Sequence, residues 1–438
     1  MQVFSGIDYI KLDLADHFGL DKANFDKRLI WVESFFDEKE IKTKNTKQLL
    51  SILRDVQEQT ELELENEPKA LGALLAWQDY LNGRPSGYIC NKDASASGLQ
   101  LMSALMKCPV GLNNTGLLGS TDGTNERKDI YTLTYNEYNR IAGKAHVKTR
   151  KEIKQCMMTW AYGSKATPTK ILGEAGLEHF YHACKLTATG AFHFRNLLLH
   201  CWNSEATAHT WINADGYVSH VPVMVENHYT LSVAGVDVPF VLKQQGKSDS
   251  GITNAGNQIH ATDAMVLREL VRRCNHKPAR IAYIAHLLQQ VSDGMDEAHK
   301  EAVCASERLK MGNLGTMIQL FEQTGFCSVR ICEFITSITD VLQLSSKHRA
   351  KLKQILFSMV QHGSFEVCTI HDSFGCTPNK MNYVRYWYKE IIADIVESDL
   401  LNFMYKQIHP KHQPAVTQVN PFTKGIADLV RLSDYGLA

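Results

Sequence analysis

The chain has 438 residues, with 47 Lys or Arg against 47 Asp or Glu, so its formal net charge at pH 7 is zero. That balance excludes a uniformly basic coat or an acidic tail and leaves only local patches of one sign. Eleven cysteines without a C-x2-C pair suggest neither a zinc ribbon nor a disulfide scaffold and fit a reducing compartment. No apolar run approaches ~18 residues, so no membrane span is expected. MQVFSGIDYIKLDL lacks the basic-then-apolar plan of a signal peptide.

Residues 1–80 read as mostly helical. In DKRLIWVESFFDEKEI and TKQLLSILRDVQEQTELELENEPKALGALLAWQDYL, apolar positions recur at three- and four-residue spacing. The acidic run Glu61 to Glu67 reads as a solvated face, and Gly83-Arg84 as a loop. Ser86 to Cys90 is a short strand that leads through Asp93-Ala94-Ser95-Ala96 into a helix. KTRKEIKQCMMTWAYGSK predicts a further helix, with no Pro or Gly from Lys144 to Ala161 and a stop at Gly163. On it Arg150 and Lys154 share a face, and Tyr162 lies about 18 Å from Arg150 along the axis.

The runs TWINADGYVSHVPVMVE and YTLSVAGVDVPFVLKQQ read as strands forming a short hairpin near 222–243, around Asn227-His228. Between about 276 and 350, RIAYIAHLLQQVSDGMDEAHKEAVCASERLK and RICEFITSITDVLQL carry amphipathic helical patterns. Phe365 to Thr369 and then Ile370-His371-Asp372-Ser373-Phe374-Gly375 read as strand, tight turn and strand, with Asp372 at the tip. The fold class is α+β, mainly helical, with a small antiparallel sheet.

A carboxylate fixed on a hairpin is a good metal ligand, because the sheet positions it before the metal arrives. A lone Asp is more often turn chemistry. Two cations on one helix face, followed by an aromatic at its end, suit a polyphosphate laid along the helix with a base or sugar at Tyr162. An isolated Arg-x3-Lys is ordinarily a solvated face.

Taken in order, the Asp93 turn, the Arg150–Tyr162 helix and the Asp372 hairpin resemble the bacteriophage-type single-subunit RNA polymerases, relatives of the DNA polymerase I family. Asn257-x2-His260-x2-Asp263 has the form of that family's segment before the second half of the palm. Gly19-Leu20-Asp21-Lys22 through Arg28 resembles its lead-in to the first aspartate, and Ile426 to Ala438 its apolar foot. The resemblance implies a right-hand polymerase fold with a small antiparallel palm sheet. Residues 1–85 would be a helical lead-in, 86–112 the first palm piece, 113–256 the fingers, 257–425 the second palm piece with a helical insertion at about 276–350, and 426–438 the foot. The hairpin near 222–243 stands where the family keeps its promoter-reading loop.

The resemblance also implies roles. Asp93 and Asp372 would hold two Mg²⁺ ions, with His371 and Ser373 completing the motif and Asn257 and Asp263 supporting His260. Lys22, Arg150, Lys154, Tyr162, Gly163 and His260 would bind the ribonucleoside triphosphate. Gly98, where the related DNA polymerases carry a bulky Glu, would join Tyr162 and His260 in choosing the sugar. DNA template and RNA product are the implied ligands, in the cytoplasm of an infected bacterium. No counterpart of the family's N-terminal domain, thumb or Asp-x2-Gly-Arg palm motif is read before Gly19. The chain therefore reads as the large subunit of a split polymerase, in a heterodimer with a second polypeptide and with accessory initiation factors; a fragment of a longer polymerase is the alternative. Two other readings remain: a related DNA polymerase, or a non-catalytic nucleic-acid-binding subunit.

Overall fold

The computed structural model describes residues 1–119, 127–249, 251, 253–294, 312–408, 419 and 423–438. Helix α1 (Gly6–His17) opens with a capping box, in which Ser5 and Asp8 exchange side-chain and main-chain hydrogen bonds. It is followed by α2 (Phe25–Phe35), α3 (Glu38–Thr43), α4 (Thr46–Thr60) and α5 (Glu67–Leu81). The helical periodicity from Thr46 to Leu81 is interrupted at Glu61, whose φ is +55°. Asn66 then recaps the chain by accepting the Lys69 N–H. The acidic run is thus a solvent-facing linker. Tyr9, Leu12, Phe25, Leu53 and Trp77 are fully buried among these helices.

Strand β1 (Cys90–Asp93) leads through Ala96, at φ +62°, into α6 (Ser97–Leu105), which is buried from Gly98 to its end. Next come α7 (Pro109–Asn114), α8 (Ile130–Ala142) and α9 (Arg150–Ala161). The last starts at Arg150 because Thr149 and Glu152 form a capping box. Helix α10 (Ala166–Thr187) kinks at Gly173 and is followed by α11 (Thr189–Leu199).

Two hairpins occupy the stretch read as one. Strands β2 (Ala208–Ile212) and β3 (Val218–Pro222) form the first, and β4 (Met224–Val233) and β5 (Val236–Gln245) the second. The second turns at Ala234-Gly235, where φ is +50° and +80°. Two successive positive φ values suit the right-handed twist of a two-residue hairpin loop. Asn227-His228, expected near the turn, instead lie inside β4, opposite Leu242 and Val241.

The second half begins with α12 (Thr253–Cys274) and α13 (Pro278–Gly294). The remainder of the predicted helix, up to Lys310, lies outside the described residues. After α14 (Asn313–Thr324), RICEFITSITDVLQL is not one amphipathic helix. It divides into a 3₁₀ turn (Val329–Glu333) and a five-residue α15 (Ile338–Leu342), because Ser337 and Asp340 form a new capping box between them. Helix α16 (Ser346–His362) leads to β6 (Cys368–Ile370) and β7 (Ser373–Cys376), and the chain continues through α17 (Met381–Glu397), α18 (Leu400–Ile408) and α19 (Thr423–Leu432).

The central sheet is antiparallel, in the order β1-β7-β6. Behind it α17 packs on α19, α12 and α6. Phe374 of β7 meets Tyr388 of α17 at 5.8 Å between ring centroids. The Tyr388 hydroxyl donates to Gln100 of α6 at 2.6 Å. The end of the sheet that carries the aspartates thus rests on a buried, hydrogen-bonded floor.

Candidate active site

The register pairs Asp93, the last residue of β1, with Ser373, the first of β7. Asp372 occupies the two-residue turn between β6 and β7, after His371, whose φ of +55° is rare for a side chain of that size. Two main-chain bonds fix the junction. The Ala94 N–H donates to the Asp372 carbonyl at 3.0 Å, and the Ala438 N–H donates to the Asp93 carbonyl at 3.1 Å. The two aspartates, from opposite ends of the sequence, therefore line one cleft of about 690 Å³.

Lys92, one residue before Asp93, is buried, and its Nζ lies 2.6 Å from Asp16 of α1. Asp16 also pairs with the buried Arg28 of α2 at 2.6 Å. Burial pushes the Asp16 carboxyl up, but Lys92 and Arg28 outweigh it and hold the group below its usual range. One turn earlier, Asp13 accepts the Tyr88 hydroxyl at 2.5 Å, and burial raises its pKa to about 6. Burial moves the neighbouring His17 the other way, to about 4. Asp13, Asp16 and His17 all line the cleft. The sequence reading missed all three, because an acidic residue on a helix face carries no local signature of a cleft.

Arg150 and Lys154 line the cleft from α9. Arg150 forms an ion pair with Asp129, and its Nε donates to Thr132 at 2.8 Å. Burial raises the Asp129 carboxyl, but bonds from Thr132 and Arg150 more than reverse the shift. The Lys154 ammonium sits 5.4 Å from the Tyr131 ring centroid. Lys22 lines the cleft beside its ion-pair partner Asp21. Arg127 and Lys128 also line it and were not foreseen. One terminal nitrogen of Arg127 is buried without a hydrogen-bond partner, and burial lowers its pKa to about 10.

Tyr162 caps the C-terminus of α9, and Gly163, at φ +101°, ends it. The Tyr162 ring centroid is 4.9 Å from that of His260, which is exposed on α12. A Cβ built on Gly98 would lie 2.4 Å from the Tyr162 hydroxyl oxygen, so the space that this glycine leaves is filled by the tyrosine. Asn257 and Asp263 are half-buried on the same helix. Burial, helped by the charge of Asp372, raises Asp263 to about 6. Gly98, Tyr162, His260, Asn257 and Asp263 sit beside the cleft rather than in its lining. Among the described residues no group of three or more His, Cys, Asp or Glu side chains makes a metal cage, and no helix is long and apolar enough to cross a membrane.

Residues 4–172 match the family model described as DNA-dependent RNA polymerase. No curated protein matches the chain. The matched stretch holds Lys22, Asp93, Gly98, Arg150, Lys154 and Tyr162, and ends before His260 and Asp372. Over residues 4–172, less than half of its length, the chain is similar to the DNA-dependent RNA polymerase family.

Proposed function

We propose that this chain is the catalytic part of a DNA-dependent RNA polymerase, adding ribonucleotides to an RNA 3′-hydroxyl on a DNA template. The carrying observation is the meeting of Asp93 and Asp372 at one cleft, across β1 and the β6–β7 turn, with Arg150 and Lys154 on its wall. Two carboxylates with no sulfur or imidazole cage fit Mg²⁺, which keeps several waters and takes phosphate oxygens as further ligands. Two such ions, when bound, supply the positive charge that activates the 3′-hydroxyl and offsets charge on the leaving pyrophosphate.

The chain's own residues would do the rest. Arg150 exchanges Asp129 for the triphosphate, and Asp129 re-pairs it once pyrophosphate leaves. Lys154 needs only to swing off the Tyr131 face. Lys22 offers a further cation in the same cleft. Tyr162 and His260 read the ribose 2′-hydroxyl. Gly98 acts through Tyr162: a larger side chain there would push the hydroxyl out of place. Sites that hydrogen-bond a substrate hydroxyl discriminate strongly against the analogue lacking it. That argues for RNA rather than DNA synthesis.

Under this reading a second polypeptide supplies the N-terminal domain, thumb and template-side palm motif, and accessory factors open duplex promoters. The β4–β5 ribbon would stand at the position of the promoter-reading loop, with only its polar face free for DNA. The test is primer extension on a primed DNA template with ribo- or deoxyribonucleoside triphosphates, by the chain alone and with the second polypeptide. Mg²⁺-dependent ribonucleotide addition is expected. No incorporation under any of these conditions sinks the reading, and a preference for deoxyribonucleotides redirects it to a DNA polymerase.

A further inference from the structure

The β4–β5 ribbon has two unlike faces. Side chains alternate along each strand, and the register sets Tyr229 opposite Phe240, Leu231 opposite Val238 and Val233 opposite Val236, all on one face. Leu242 shares that face, opposite Asn227. Tyr229 and Phe240 stack at 5.5 Å. The other face carries Glu226 paired with Lys243 at 3.0 Å, Ser232 bonded to Asp237, and Thr230 opposite Pro239. Every residue from His228 to Gln245 is exposed. On the apolar face, Leu231 is 56%, Val233 54% and Val236 64% accessible. A two-stranded ribbon without packing is marginal in water, so a clean apolar stripe here calls for a cover.

Three occupants differ in chemistry. A nucleic acid needs cations and base-edge donors. The apolar face has no cation, and Lys243 points to the other side, where Glu226 holds it. A second copy stacked face to face is too small. Ten residues at about 3.3 Å, two strands wide, give a face of roughly 330 Å², and two such faces bury about 660 Å², short of the ~1,000 Å² of a stable interface. A different polypeptide that also contacts other parts of this chain meets both requirements.

We infer that the apolar face of the β4–β5 ribbon is a protein-docking surface, inserted into an apolar groove of the second polypeptide that completes the enzyme. This rests on the reading above that such a polypeptide exists. Docking leaves the polar face outward and stiffens a ribbon that is exposed from His228 to Gln245 and tied down only at its base, where Gln245 Nε2 donates to the Thr207 carbonyl at 3.1 Å.

The test uses the full chain, alone and co-expressed with the polypeptide encoded beside it, followed by light scattering and titration. The chain alone should be monomeric and the pair should form a one-to-one complex. Leu231→Asp with Val238→Asp should weaken the complex by about 100-fold, as for a central apolar anchor. Leu231→Ala with Val238→Ala, which adds no charge, should give a smaller loss. Thr230→Asp on the polar face should change affinity by less than about threefold. Circular dichroism melts guard against misfolding. Absence of a complex, a complex indifferent to the apolar-face variants, or a homodimer that those variants dissolve would each overturn the inference. So would affinity for single- or double-stranded DNA that depends on the apolar face. Nucleotide incorporation is scored separately. A ribbon-dependent complex without incorporation sinks only the polymerase reading, and incorporation by a ribbon-independent complex sinks only the docking.

Discussion

Asp93 and Asp372 are held through main-chain carbonyls and strand register, not through their carboxylates. Asp93→Asn or Asp372→Asn therefore removes one charge and leaves the sheet intact. Each is expected to lower the rate of nucleotide addition by about a thousandfold or more, with thermal midpoint and template binding unchanged. Near-normal extension by either variant would refute the metal assignment. Asp13 gives a stability prediction instead. Its folded pKa of about 6 stands above the ordinary 3.8. Below about pH 4 the group is neutral in both states and costs nothing. Between about pH 4 and 6 the unfolded chain loses this proton first, so stability falls as pH rises, by about 3 kcal/mol in all. Asp13→Asn should flatten that fall in urea melts and leave the variant more stable at pH 7; an unchanged slope would show that burial does not govern this carboxyl. The two metal candidates were legible in the sequence because strand and turn signals bracket each. Asp13, Asp16 and Arg127 were not, because their meeting depends on how α1 and the segment before α8 pack against β1.

The junction of α6 and α9 turns on a single missing Cβ. Gly98→Ala would place a methyl group 2.4 Å from the Tyr162 hydroxyl oxygen and 3.1 Å from its Cζ. Tyr162 must move, at a cost of about 1–3 kcal/mol. Discrimination between ribo- and deoxyribonucleotides should fall with it. Tyr162→Phe alone removes the hydroxyl but little volume, so polymerisation should persist while discrimination relaxes. In the double variant the stability loss of Gly98→Ala should be largely recovered and the discrimination should not. Additive stability changes would mean that the two helices are not coupled here. The start of α9 is set by the Thr149–Glu152 capping box, two residues into the stretch that reads as helical. The ribbon turn was misplaced. Asn-His resembles turn chemistry, yet only Ala234-Gly235 takes two positive φ values, with one strand residue after another paired on either side.

Across the whole molecule the neutral net charge hides a sharply divided cleft. Among the described residues its lining holds seven side-chain carboxylates (Asp13, Asp16, Asp21, Glu65, Asp93, Asp129 and Asp372) and six cations (Lys22, Lys69, Arg127, Lys128, Arg150 and Lys154). His17, with its pKa lowered to about 4, adds no charge near neutrality. Several of the cations already have partners: Arg150 has Asp129 and Lys22 has Asp21. With Lys92 and Arg28 paired to Asp16 from behind, the charges nearly balance, so a triphosphate entering this cleft meets little net attraction unless cations arrive with it. Nucleotide affinity should therefore depend on divalent metal, not on the side-chain cations alone. Titration of ATP into the chain should show binding with Mg²⁺ and at least about a tenfold loss in EDTA. Asp129→Asn releases Arg150 and removes one carboxylate, so it should raise ATP affinity in both conditions while slowing product release. Lys154→Met should lower affinity in both. If ATP binds equally well without metal, the carboxylates do not form a metal site. If Asp129→Asn weakens binding, the Arg150–Asp129 pair positions the cation instead of competing for it.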